Sequence, residues 1–130
     1  MTRRSGTVPE ETKSRLLQSA VCEFGEYGFE KASLRRICAR ADVTTGALYF
    51  FFRDKEDLFR NVIAPVTDRL LKLMKMHYEV EQNSPDVNIV KGESEDFRIA
   101  DEFFDLYFAN QEICRIVLSN REHPLVTAFF

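Results

Sequence analysis

The sequence predicts an all-α fold, and three observations support this prediction. Apolar residues recur every three or four positions through most of the chain. Ser, Thr, Asp and Pro stand where such segments begin, which is where they favour a helix N-terminus. No stretch alternates between apolar and polar residues for long enough to indicate a strand. We therefore expect about seven helices.

The first predicted helix begins near Pro9 and ends at Tyr27. Proline suits the first turn of a helix, and the two glutamates that follow it complement the positive end of the helix dipole. Gly28 comes next, and glycine is favoured just beyond a helix C-terminus. Residues 1–7 are polar and basic, so we expect a mobile arm before this helix.

Two short helices joined by a tight turn follow. Ser33 is the predicted N-cap of the first, and Thr44 or Thr45 that of the second, which ends at Phe51. Ile37 and Leu48 are expected to pack the pair together, while the small Ala41, at the end of the first of these helices, allows close approach. This arrangement is typical of a helix-turn-helix, whose second helix presents its N-terminal side chains to a DNA major groove.

The remaining elements are predicted to be helices as well. A long fourth helix starts at Lys55, capped by Asp54, and runs to about Glu81, with a kink or break at Pro65. We expect a loop over residues 82–95, and then helices over residues 96–109 and 111–119. A seventh helix is predicted to start at Pro124.

Composition narrows the function classes. The chain has 130 residues, 45% of them hydrophobic and 30% charged, so it can bury a core. No apolar run approaches the roughly 20 residues that span a bilayer, and no signal peptide is present, so we expect a cytoplasmic protein without a membrane partner. Phosphate-binding loops and nucleophile motifs are absent, which argues against an enzyme and a cofactor. Cys22, Cys38 and Cys114 are expected to be small buried side chains, and no metal site is predicted.

Charge is distributed unevenly between the two halves. Residues 1–64 hold 11 Lys and Arg against 9 Asp and Glu, whereas residues 65–130 hold 7 against 12. The basic half contains the helix-turn-helix, which is compatible with a polyanionic partner, although a difference of this size is weak evidence alone.

The segment 12–63 resembles the DNA-binding domain of the TetR (tetracycline-repressor) family of bacterial transcriptional regulators. The resemblance is carried by LLQSA at 16–20, FGEYGF at 24–29, SLRRICARA at 33–41, VTTGALY at 43–49 and FRDKEDL at 52–58. It implies a three-helix DNA-binding domain over residues 1–56. Residues 57–130 would hold the connecting helix and the first helices of an effector-binding and dimerisation domain.

The resemblance also implies which residues touch DNA. Side chains at the start of the recognition helix would face base edges, and residues at helix starts, an aromatic hydroxyl and several cations would contact phosphates. The base-facing residues would be Thr45, Gly46 and Ala47, and the phosphate contacts Ser33, Arg35, Arg36, Thr44, Tyr49 and Lys55. Arg3 and Arg4 could reach the minor groove.

The sequence departs from the family pattern at two places. Phe50 and Phe51 stand where the family has residues that donate hydrogen bonds, and Asp42 replaces a glycine before the turn valine. These departures favour an alternative, a helical interaction module of the same fold that has lost DNA binding. Phe52, the third phenylalanine of this run, is expected in the core, and Phe50 or Phe51 must be partly exposed.

The resemblance implies a ligand-responsive repressor that binds a near-palindromic operator as a homodimer. An unknown small molecule would bind among the later helices, where Phe97, Phe104 and Phe108 share one helical face. These rings either line that pocket, which would favour an apolar ligand, or simply pack the core. Family members have about nine helices, so the apolar ending at residues 125–130 suggests a truncated or unusually short member.

Overall fold

The computed structural model describes residues 9–83 and 89–129, and every regular element in these ranges is an α-helix. The helices are α1 (Pro9–Lys31), α2 (Leu34–Ala41), α3 (Thr45–Phe51), α4 (Lys55–Asn83), α5 (Ile89–Ala109), α6 (Gln111–Ser119) and α7 (Pro124–Thr127). The all-α prediction is confirmed, and α6 has the predicted bounds. Arg3 and Arg4 lie outside the described residues.

Helix α1 is interrupted at Gly28 but does not end there. Gly28 has φ 77° and ψ 171°, so the regular helix stops at the predicted place, and a further turn then runs to Lys31. The backbone N–H of Ala32 closes this turn on the carbonyls of Gly28 and Phe29. The predicted end at Tyr27 is therefore correct for the straight part of α1 only.

The helix-turn-helix is formed by α2 and α3, and its caps are those that the sequence predicts. The Ser33 hydroxyl accepts the backbone N–H of Arg36 at 3.3 Å, and the Thr44 hydroxyl accepts that of Ala47 at 3.1 Å. Between the two helices, Asp42 adopts a left-handed conformation with φ 55° and ψ 50°. Aspartate tolerates this region better than most residues, so the turn keeps its geometry without the family's glycine.

Helices α4 and α5 differ from the prediction. Helix α4 starts at Lys55, and the Asp54 carboxylate accepts the N–H of Asp57 at 2.7 Å, as a cap should. It continues through Pro65 as one helix, so of the predicted kink or break the break does not occur. Val62, Ile63 and Val66, on either side of the proline, are buried. Helix α5 begins at Ile89 rather than near residue 96.

One apolar core joins the helix-turn-helix to the later helices. Phe24 of α1 meets Phe59 of α4 edge to face, with ring centroids 5.1 Å apart. The same cluster contains Leu48 of α3 and Ile116 of α6, all completely or almost completely buried. Residues on both sides of the predicted boundary at residue 56 thus share this core.

Other sequence expectations concern the cysteines and membrane helices. Cys38 is buried and Cys114 half-buried, and burial raises the pKa of both thiols. Cys22 is exposed, so its predicted burial is wrong: it lies on the side of α1 that faces away from the core.

Within residues 9–83 and 89–129, no helix has the length and apolarity needed to cross a membrane. In the same ranges no cluster of three potential metal ligands occurs.

Candidate nucleic-acid interface

The start of α3 is exposed to solvent, while the middle of the helix is held by one fully buried side chain. Leu48 is fully buried, while Thr44, Thr45 and Gly46 are exposed and Ala47 is half-buried. Because α3 has only seven residues, Leu48 and the Thr44 cap together fix its orientation. The structure therefore places all the residues that the sequence assigns to base contact at one exposed helix end, where small side chains permit close approach.

The aromatic run after the recognition residues divides between surface and core. Tyr49 is 56% exposed and Phe50 78%, whereas Phe51 packs partly against the core and Phe52 is buried. This confirms the predicted partition. Among the described residues the Tyr49 hydroxyl forms no hydrogen bond, so it can donate to a phosphate without breaking an existing contact.

Lys55 lies at the first turn of α4 and is already engaged with the end of α1. Its Nζ donates to the carbonyls of Glu30 at 3.1 Å and Ala32 at 3.3 Å. It also lies 4.7 Å from the centroid of the Phe29 ring. An ammonium has three donors, so one is left over for an external anion. The protein thus holds this lysine in place rather than leaving it free in solvent.

The predicted phosphate contacts on α2 have different surroundings. Arg35 is exposed, whereas Arg36 donates from Nε to Glu23 Oε2 at 2.8 Å and stacks over the Tyr27 ring at 4.3 Å. The hydrogen bond to Glu23 raises the pKa of Arg36 above its ordinary value. Arg36 is thus tied to α1 through Nε and Nη2, and a phosphate would have to share its guanidinium with Glu23.

Glu23 is a functional candidate that the sequence reasoning missed. Its side chain is fully buried, and Oε2 accepts the backbone N–H of Ser33 at 2.9 Å as well as the bond from Arg36. The Glu23 carboxylate thus already occupies the backbone N–H of Ser33 at the start of α2. Ser33 could therefore contact a phosphate only through its hydroxyl. The signal was available, because position 23 falls on the apolar face marked by Leu16 and Ala20.

The aromatic residues of α5 form an exposed face. Phe97, Phe104 and Phe108 are between 56% and 71% exposed, so the expectation that they pack a core is wrong for the described part of the chain. They do not surround a closed cavity there either; Phe108 lines an open cleft of about 630 Å³ with Val21 and Ile113. The three rings share one side of α5, as predicted.

The fold and this interface define a helix-turn-helix protein. Residues 16–62 match the family described as "Bacterial regulatory proteins, tetR family". The chain is 39% identical over 61 residues to the HTH-type transcriptional repressor BepR of Brucella suis, an alignment that covers 47% of this chain and 29% of that protein. The uncharacterized HTH-type transcriptional regulator YdgC of Bacillus subtilis is 31% identical over 109 residues, or 78% of this chain and 56% of YdgC.

A solved structure supports the same fold. A transcriptional regulator of the TerR/AcrR family from Aquifex aeolicus VF5 superimposes with a TM-score of 0.62 at 22% identity, covering 91% of this chain and 61% of that one. In each comparison the chain spans less than two thirds of its relative. The match to the tetR family of bacterial regulatory proteins is confined to residues 16–62, the segment that contains the helix-turn-helix.

Proposed function

We propose that this protein binds double-stranded DNA through α3 and regulates transcription, most simply as a repressor. The observation that carries the proposal is the exposed, capped start of α3, held by the buried Leu48 within the segment that matches the family. The similar protein BepR is a transcriptional repressor by name, which supports the direction of regulation. Such a protein acts by binding rather than by catalysis, and in a bacterium its DNA target lies in the cytoplasm.

The finer features of the proposal are a homodimer, a near-palindromic operator and a small-molecule effector. Two copies would place two recognition helices in successive major grooves, one helical turn apart. The effector we propose is apolar, because α5 presents Phe97, Phe104 and Phe108 together on its exposed side. Its binding would favour a conformation in which the two helices no longer match the half-site spacing.

The experiment is selection of binding sites from a pool of random DNA duplexes, followed by titration of the selected site. We expect an inverted repeat to be enriched. Recovery of random sequences only would favour the alternative, an interaction module without specific DNA binding, for which the exposed Phe50 offers an apolar contact. Sedimentation of the protein with the selected duplex then gives the number of chains bound.

A variant that adds a negative charge to α3 tests whether this helix contacts the DNA. Thr45→Asp puts a carboxylate at the first residue of α3, where the helix dipole favours it but DNA repels it. We expect about a tenfold or larger loss of affinity with little change in stability. Gln111→Asp is the matched control, since Gln111 is exposed at the first residue of α6. Equal effects of the two substitutions would refute the assignment of α3.

A further inference from the structure

We propose that Asn120 and His123, which lie between α6 and α7, are positioning residues for Lys55 and act on it through Phe29. The inference rests on the proposed function, because it assigns Lys55 a phosphate contact. It adds that the lysine is held by residues 65 or more positions away in the chain, in a connection that the family match over residues 16–62 does not include.

The first step joins the end of α6 to the kink in α1. Asn120 Oδ1 accepts the backbone N–H of Phe29 at 3.0 Å, a contact between residues 91 positions apart. Asn120 Nδ2 donates to the carbonyl of Ile116 at 2.7 Å, so the amide group is oriented from both sides. The positive φ of Gly28 turns the chain here and leaves the N–H of Phe29 available for this bond.

The second step fixes the ring of Phe29. It contacts the imidazole of His123 edge to face, with centroids 4.3 Å apart, and the ring of Phe59 at 5.1 Å. His123 is itself fixed, because its Nδ1 accepts the N–H of Leu125 at 3.1 Å and so caps α7. Phe29 is therefore held at its backbone by Asn120 and at its ring by His123.

The third step passes from Phe29 to Lys55. The Nζ atom lies over the Phe29 ring, and it donates to the carbonyls of Glu30 and Ala32 in the same short turn. Every protein contact described for this ammonium thus comes from residues 29–32. Because Asn120 and His123 hold that turn, a displacement of the α6–α7 connection would move the lysine relative to a bound phosphate.

Chemical labelling tests the positioning without DNA. An amine-reactive ester modifies exposed lysines, and mass spectrometry gives the rate at Lys55, with Lys72 of α4 as an internal standard. Asn120→Ala removes the hydrogen bond to the backbone N–H of Phe29 and so loosens the turn that holds Lys55. We expect the labelling rate at Lys55 to rise about threefold, an effect of the size of one ordinary hydrogen bond. Ser119→Ala is the matched control, because the Ser119 hydroxyl bonds only to carbonyls of its own helix among the described residues. An unchanged rate in Asn120→Ala would overturn the proposal.

The salt dependence of DNA binding tests the consequence. Lys55→Ala should lower the slope of log K against log salt concentration by about one, the value for one lost phosphate contact. We expect Asn120→Ala to do the same, and the double variant to match Lys55→Ala alone. Asn120→Asp keeps the acceptor and should restore the slope even if it lowers stability. Additive losses in the double variant, or a lower affinity at an unchanged slope, would contradict the positioning role.

The two arms separate failure of this inference from failure of the proposed function. If the parent protein selects no DNA, the proposed function is wrong, while the labelling rate still decides whether Asn120 holds Lys55. If the parent binds and Lys55→Ala leaves the slope unchanged, Lys55 makes no phosphate contact, and the inference is wrong even though DNA binding stands.

Discussion

Replacing either of two glycines of α1, three residues apart, by alanine should change the free energy of unfolding in opposite directions. Gly25 is exposed within the regular helix, and a Cβ built there meets only the side chain of Ile116, at 3.9 Å. Gly28 occupies the kink at φ +77°, and a Cβ there meets only Asn120 Oδ1, at 3.6 Å. Neither position is crowded, so the backbone conformation decides the outcome.

The expected magnitudes follow from that conformation. Alanine inside a helix is more favourable than glycine by about 0.5–1 kcal/mol, so Gly25→Ala should raise the free energy of unfolding by that amount. The φ and ψ of Gly28 fall in a region that is nearly restricted to glycine, where another residue costs about 1–3 kcal/mol. Gly28→Ala should therefore lower the free energy of unfolding, and the two variants should differ by about 1.5–4 kcal/mol.

Urea denaturation followed by circular dichroism measures both variants against the parent protein. We expect the midpoint to rise for Gly25→Ala and to fall for Gly28→Ala, with the slope unchanged, because neither substitution alters the surface exposed on unfolding. A neutral Gly28→Ala would mean that the kink is not needed for packing. A destabilising Gly25→Ala would show that the contact with Ile116 is tighter than 3.9 Å suggests.

Three further predictions concern the interface. Tyr49→Phe should weaken DNA binding about tenfold at every sequence, since a hydrogen bond to a charged group is worth about 1.5–3 kcal/mol; fluorescence anisotropy measures this, and the exposed Tyr78, changed to Phe, should have no effect. Arg36→Met should lower the urea midpoint more than Glu23→Leu, because it leaves a fully buried carboxylate, whereas the opposite change frees an arginine that can return to water; the reverse order would contradict this. Thr44→Ala removes the cap of α3 and should cost about 1 kcal/mol in thermal denaturation, and no change would mean that the cap is dispensable.

Local signals predicted the elements whose ends are marked by capping residues. Ser33, Thr44 and Asp54 each accept the expected backbone N–H, because a short polar side chain beside a free amide has few other partners. The early start of α5 was missed because Gly92 and the polar residues after it favour a loop by composition. Helix α5 as a whole packs against α4, and tertiary contacts often outweigh such a local preference.

The candidate site could be predicted only in part, for a physical reason. The exposed residues of α3 follow from their position on one short helix, which a sequence can show. The environments of Arg36 and Lys55 depend on Glu23 and on the turn after Gly28, which pack against them from other elements. Such contacts carry no periodic signal, so an arginine tied to a buried carboxylate resembles a solvated one in the sequence.

The core shared between the helix-turn-helix and α6 sets an order of events during synthesis on the ribosome. Phe24 and Leu48 are made early, but Ile116 and Val126, which complete the cluster around them, are made last among its members. Until then the nascent chain must keep part of this apolar surface uncovered, and closing so long a loop carries an entropic cost. The recognition helix therefore obtains its full support only after translation has passed Val126, and early folding intermediates should be the species most in need of chaperones.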